Sequence, residues 1–125
     1  MPSRERVGEL IAMVEQGMYV EAIQEFYTED ASMQENGAPP RVGRDKLVEH
    51  ERGVMASFRQ IRTLPVESFL LNGDRVVIRW VFEFTSSDGT SFRLDELAHQ
   101  RWRGDQIVEE RFYYDPAQMR PANRT

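Results

Sequence analysis

Cysteine does not occur in this chain of 125 residues. Its absence removes disulfides, thiolate metal sites, iron–sulfur clusters and cysteine nucleophiles together. Lysine occurs once, at Lys46, so the basic charge is almost entirely arginine. Acidic residues outnumber basic ones by 21 to 16, for a formal net charge of −5, which leaves no basic footprint for nucleic acid. The two histidines, His50 and His99, do not form a ligand set of the usual spacing, so neither a metal nor a cofactor is expected. No long apolar run follows Met1-Pro2-Ser3-Arg4-Glu5-Arg6. The expectation is therefore a cytoplasmic protein with no secretory leader and no membrane span.

What is present is a globular composition, 40% apolar and 30% charged, in a chain long enough for one domain with a sizeable core. No repeat, low-complexity tract or linker divides it, so residues 1–125 are read as a single domain. Ser3 can cap a first helix whose Val7, Leu10, Ile11, Val14 and Met18 share a face, with Gly17 at its end or at a bend. A second helix from about Val20 places Ile23, Phe26 and Tyr27 on one side. A short strand over Ala31 to Gln34 runs into the breaker-rich Glu35-Asn36-Gly37-Ala38-Pro39-Pro40. A third helix, Arg44 to Phe58, aligns Leu47, Glu51, Val54 and Phe58, and His50 borders that face.

After Ile61 the pattern is antiparallel sheet: four extended segments separated by Asn72-Gly73-Asp74, Ser87-Asp88-Gly89 and Arg103-Gly104-Asp105. Helices gathered at one end and strands at the other make the fold α+β, with three helices covering one face of a sheet of one short and four long strands. Alternation puts Ile78, Trp80, Phe82 and Phe84 on the covered face and Val77, Arg79, Val81 and Glu83 on the other. The same alternation gathers Val108, Glu110, Phe112 and Tyr114 with Trp80 and Trp102, and sets Glu96 opposite Trp80. His99 falls on the outer face.

The layout, together with Glu25-Phe26-Tyr27-Thr28-Glu29-Asp30-Ala31, Pro40-Arg41-Val42-Gly43-Arg44-Asp45 and Gly104-Asp105-Gln106-Ile107-Val108-Glu109-Glu110 through Tyr114-Asp115-Pro116, resembles the nuclear transport factor 2-like superfamily. It looks closest to the SnoaL-like polyketide cyclases and the ketosteroid isomerases. The resemblance implies a strongly curved sheet wrapped by helices into a cone, a small-molecule pocket inside, and a homodimer through the outer sheet face. It transfers little chemistry. Glu35 matches the isomerase base, but the oxyanion-binding tyrosine aligns with Leu10 and the proton-donating acid with Ala98. The last-strand aspartate of the cyclases, and of the epoxide-hydrolase branch, falls on Phe112, and the pocket position before it is Glu110.

Two carboxylates are therefore the candidate catalytic residues. If Arg103-Gly104-Asp105 is a three-residue loop, Trp102 faces Gln106, Gln100 faces Val108 and Ala98 faces Glu110, with opposed Cβ atoms about 5 Å apart. Glu110 then supplies from the neighbouring strand the carboxyl missing at position 98, its pKa raised by an apolar cone. The alternative is a Glu110 at the pocket mouth, or one paired with an arginine or His50. Glu35 either moves a proton at the mouth or is a solvated loop carboxylate, with Asn36-Gly37 making the turn. His50 is a base, a ligand donor or a satisfied helix histidine. Candidate ligand-binding residues are Asn36, His50, Trp80, Gln100, Trp102, Phe112 and Tyr114, suited to a small, largely apolar or aromatic molecule. Two functions stay open: a binding module without catalysis, and a cofactor-independent acid–base enzyme using Glu35 and Glu110.

Overall fold

The computed structural model describes residues 1–120. Helix α1 is Arg4–Glu15, and the Ser3 side chain caps it by accepting from the Arg6 amide at 3.0 Å. Its Val7, Leu10, Ile11 and Val14 are buried, as their spacing requires. Gly17, at φ +80°, turns the chain out of this helix. Helix α2 is Tyr19–Phe26 and the first strand, β1, is Tyr27–Glu35. Tyr27 thus opens a strand rather than closing the helix, and β1 is longer than the Ala31–Gln34 segment expected. A two-residue strand β2, Arg41–Val42, leads into α3, Arg44–Ser57.

The remaining strands are β3 (Gln60–Thr63), β4 (Phe69–Asn72), β5 (Arg75–Thr85), β6 (Ser91–Arg103) and β7 (Gln106–Tyr113). A short 3₁₀ turn, Pro116–Met119, follows. The sheet runs β2-β1-β7-β6-β5-β3, and β4 pairs the other half of the β5 edge. It is curved, unclosed and mixed, with seven strands rather than one short and four long antiparallel ones.

Two differences from the sequence reading have plain causes. The first extended segment after Ile61 splits into β3 and β4. Thr63 pairs Phe82 and Phe69 pairs Ile78, so six steps of chain cross four steps of β5. Pro65 lies in this excess and cannot donate to a ladder, while the freed Val66 amide donates to Glu15 at 2.8 Å. The second difference is that β1 joins β7 in parallel. This pairing closes the wall between the helices and the last strand.

The core lies between α1, α2, the start of α3 and the inner sheet face. It includes Val7, Leu10, Phe26, Leu47, Ile78 and Ile107. The expected alternation in β5 holds: Val76, Ile78 and Trp80 are buried while Arg75 and Arg79 are exposed. On the outer face arginines and acids pair across strands, as in Arg79 with Asp95 at 2.7 Å and Arg101 with Glu109 at 3.3 Å. No helix of the described residues is long and apolar enough to cross a membrane.

Candidate functional site

The concave face is not filled solid. A cavity of about 340 Å³ lies between α1–α3 and the sheet, within the range of small-molecule sites. Its walls are mostly apolar, with Leu10, Ile23, Val54, Trp80, Phe82 and Phe112 among them. Trp80 stacks on Phe82 with ring centroids 6.0 Å apart, and Tyr19 meets Phe82 edge-on at 6.2 Å. Four carboxyls reach the same space from four elements: Glu35 from β1, Glu51 from α3, Glu96 from β6 and Glu110 from β7.

Glu110 is 1% exposed. Alternation placed it inside, and it is inside, paired neither with an arginine nor with His50. Tyr27 Oη donates to Glu110 Oε1, and Gln100 Nε2 donates to Oε2 at 2.8 Å. The expected partner was wrong. Gln100, not Ala98, lies opposite Glu110, and Ala98 lies opposite Phe112. Two single-residue steps account for the change. The loop is Gly104-Asp105 alone, since Arg103 pairs Gln106; and Val108 is an extra residue, since Trp102 pairs Ile107 while Arg101 pairs Glu109. A shift of two in the pairing leaves every side chain beyond the bulge on its original face. Burial pushes the Glu110 carboxyl up to about 7 against the pull of its two hydrogen bonds. The same burial, with the Glu110 charge, raises the Tyr27 hydroxyl well above its ordinary range.

Glu35 has the opposite setting. It ends β1 at the cavity mouth, where Tyr114 Oη donates to Oε1 at 2.7 Å and Arg41 Nη1 lies 2.9 Å from Oε2. Burial works to raise its pKa, but the Tyr114 and Arg41 hydrogen bonds and the Arg41 charge outweigh it and leave it lowered. Asn36 does not line the cavity. At φ 50°, a conformation asparagine tolerates, its Oδ1 accepts from the Tyr114 amide at 3.0 Å and its carbonyl accepts from Arg111 Nε at 3.0 Å. It anchors the strand end that presents Tyr114.

His50 borders the mouth, and burial followed by the Arg41 charge lowers its pKa. Trp80, Phe112 and Tyr114 are on the cavity wall. Gln100 and Trp102 are not. They lie behind it, fully packed, with Trp102 Nε1 donating to Gln100 Oε1 at 2.9 Å. Trp102, Gln100 and Glu110 thus form a buried chain that reaches the cavity only through Glu110.

Two acids of this cavity received no role from the sequence. Glu96 is 7% exposed and its Cα partner on β5 is Trp80, as the alternation required. Burial, then the charges of Glu110, Glu35 and Glu51, push its carboxyl up to about 8. Glu51 is raised by burial and by Glu35. The signal for both was present in the sequence, since each shared a face with apolar cavity residues. Among the described residues no group of three or more acids or histidines is placed to hold a metal ion.

A family profile for the SnoaL-like domain matches residues 7–110. The chain belongs to this SnoaL-like family. No curated protein matches it in sequence. Solved structures with the same fold include a nuclear transport factor 2-like protein of unknown function from Burkholderia pseudomallei. It is 17% identical, with 92% of each chain covered and a TM-score of 0.78. A ketosteroid isomerase-like protein from Catenulispora acidiphila, in complex with trimethylamine, is 21% identical over 98% of each chain, with a TM-score of 0.77. IdmH, a candidate polyketide cyclase from Streptomyces antibioticus, is 22% identical over 92% of this chain and 93% of its own, with a TM-score of 0.73. The architecture of this SnoaL-like chain is therefore the nuclear transport factor 2-like cone. Such a fold hosts many chemistries, so function has to be argued from the cavity.

Proposed function

We propose that this SnoaL-like protein binds a small, largely apolar molecule in its cone. The carrying observation is the aromatic-walled cavity of about 340 Å³ with a few acids set into it. Apolar walls supply affinity, and the sparse polar groups fix orientation. That the Catenulispora protein of this fold forms a complex with trimethylamine supports the reading that a small organic molecule is bound. Because Trp80 lines the cavity and Trp102 does not, Trp80 is the reporter. Titrating a panel of neutral, cationic and anionic aromatic molecules is expected to give a saturable change in tryptophan fluorescence that disappears in Trp80→Phe. A panel that leaves the native fluorescence unchanged throughout overturns the proposal.

One observation favours a second reading, acid–base catalysis. The surroundings of Glu35 favour its anion, whereas Glu110 retains a proton up to about pH 7. A base and an acid whose environments drive them apart are what proton transfer through a bound molecule needs. This reading predicts deuterium uptake from D2O at the carbon beside the carbonyl of a bound aromatic ketone. Glu35→Gln should abolish uptake and retain binding; binding without any uptake in the native protein leaves the non-catalytic reading alone. The outer sheet face is proposed as a self-interface, in which two copies meet around Leu97 and Tyr113.

A further inference from the structure

The four cavity acids are not equivalently served. Glu35 has Tyr114 and Arg41, and Glu110 has Tyr27 and Gln100. Glu96 has no hydrogen-bond or ion-pair partner among the described residues, although it is only 7% exposed. It faces the cavity, whose one arginine, Arg41, is at the mouth and already engaged by Glu35. Among the described residues the interior therefore combines carboxyl groups with no cation beyond Arg41 and His50 at the mouth.

A carboxyl that opens only onto a largely apolar cavity, away from bulk water and without a protein partner, is costly to ionise, and the cost is recovered when a positive group meets it there. Trp80, the strand partner of Glu96, lines the cavity at the same level and is stacked on Phe82. Aromatic faces attract cations through the ring quadrupole, most strongly where water is excluded. An anionic occupant would be repelled by the ionised Glu35 at the mouth, and a hydrocarbon would leave Glu96 unmet. We propose that the cavity takes an organic cation, an amine with apolar substituents whose ammonium lies between the Glu96 carboxylate and the Trp80 ring. This rests on the small-molecule reading above and narrows it to a ligand class.

Glu110, Glu35 and Glu51 face Glu96 from β7, β1 and α3, with Arg41 and His50 at the mouth. The three acids favour a protonated Glu96 in the empty cavity, and an arriving ammonium reverses the balance by replacing that proton. The aromatic rings then hold the apolar substituents.

The test compares two molecules of one shape, benzyl(2-hydroxyethyl)dimethylammonium and its uncharged carbon isostere 3,3-dimethyl-4-phenylbutan-1-ol. Binding is followed by calorimetry and by Trp80 fluorescence. The cation is expected to bind the native protein about ten-fold or more tightly than the isostere. Glu96→Gln, which keeps shape and removes the charge, is expected to erase that preference by weakening the cation and sparing the isostere. Equal affinities in the native protein overturn the amine proposal and leave the cavity reading standing. Absence of binding by both overturns the amine proposal, and the aromatic panel decides the small-molecule reading separately. A preference that survives Glu96→Gln, with an unchanged circular dichroism spectrum, overturns the assignment to Glu96.

Discussion

Burial acts on the cavity acids with one sign, but hydrogen-bond donors and the nearby arginine decide how far each follows it. Glu35 meets a hydroxyl and a guanidinium and ends below its ordinary pKa; Glu96 meets neither and rises to about 8. The raised group gives stability a definite pH dependence. The folded chain keeps the Glu96 proton up to about pH 8, whereas the unfolded chain releases it near the ordinary value of 4.5. Its contribution is therefore complete below about pH 4.5 and lost as the pH rises through about 8. The slope in between is about 1.4 kcal/mol per pH unit for one proton. Thermal melts from pH 5.5 to 8.5 should accordingly show native stability falling, with Glu96→Gln falling less steeply and exceeding the native protein by on the order of 2 kcal/mol at the alkaline end. Parallel slopes for the two proteins would sink the prediction. Arg41→Met removes the guanidinium beside Glu35 and should raise that residue's titration midpoint, as read from its side-chain carboxyl carbon by NMR. At this scale the sequence was readable for facing and poor for partnership. Alternation determines which face Glu110 and Glu96 take, but hydrogen-bond partners depend on register, and Gln100 became a partner only through an unsignalled bulge.

Turns and bulges set that register. Gly104, at φ +64°, occupies the first position of the two-residue β6–β7 loop, and a side chain there would meet no atom within 4 Å. The demand for glycine is one of backbone conformation, not of space. Gly104→Val should cost about 1–2 kcal/mol or more from the left-handed conformation alone, and Gly104→Asn markedly less. Urea denaturation of the three proteins measures the difference, and equal losses for Val and Asn would refute it. Elements whose pattern is local were legible: α1 with its serine cap, α3, and the three glycine-bearing hairpins. The β3–β4 division was less so, because no glycine-bearing turn separates the two strands and only Pro65 and the polar Glu67-Ser68 mark the break. The β1–β7 pairing left no local trace at all, since its partners are far apart in the chain and parallel strands have no turn to announce them.

At the scale of the whole molecule the convex face bears on assembly. Leu97 is 47% exposed and Tyr113 is 46% exposed, with half-buried Val77 and Val81 nearby on the same outer face. Arginine–carboxylate pairs surround them, the arrangement of an apolar centre with a polar rim. For the proposed self-association, light scattering at micromolar concentration should give twice the 14.6 kDa chain mass. Leu97→Arg should return the single-chain mass with its circular dichroism unchanged; a monomeric native protein would refute the dimer. The parallel β1–β7 join has a different consequence, which concerns the order in which the protein is made. Tyr27 and Glu110, whose side chains meet at the cavity, are separated by 83 positions. During synthesis the helices and β1 must therefore wait for six further strands before their wall can close, and such long-range closure is slow. A nascent chain stopped before Gln106 would hold Trp80 and Glu96 without Glu110 to complete the cavity, and would leave the β6 edge open to pairing with other chains. The completed cavity of this protein is thus a report that translation has passed β7.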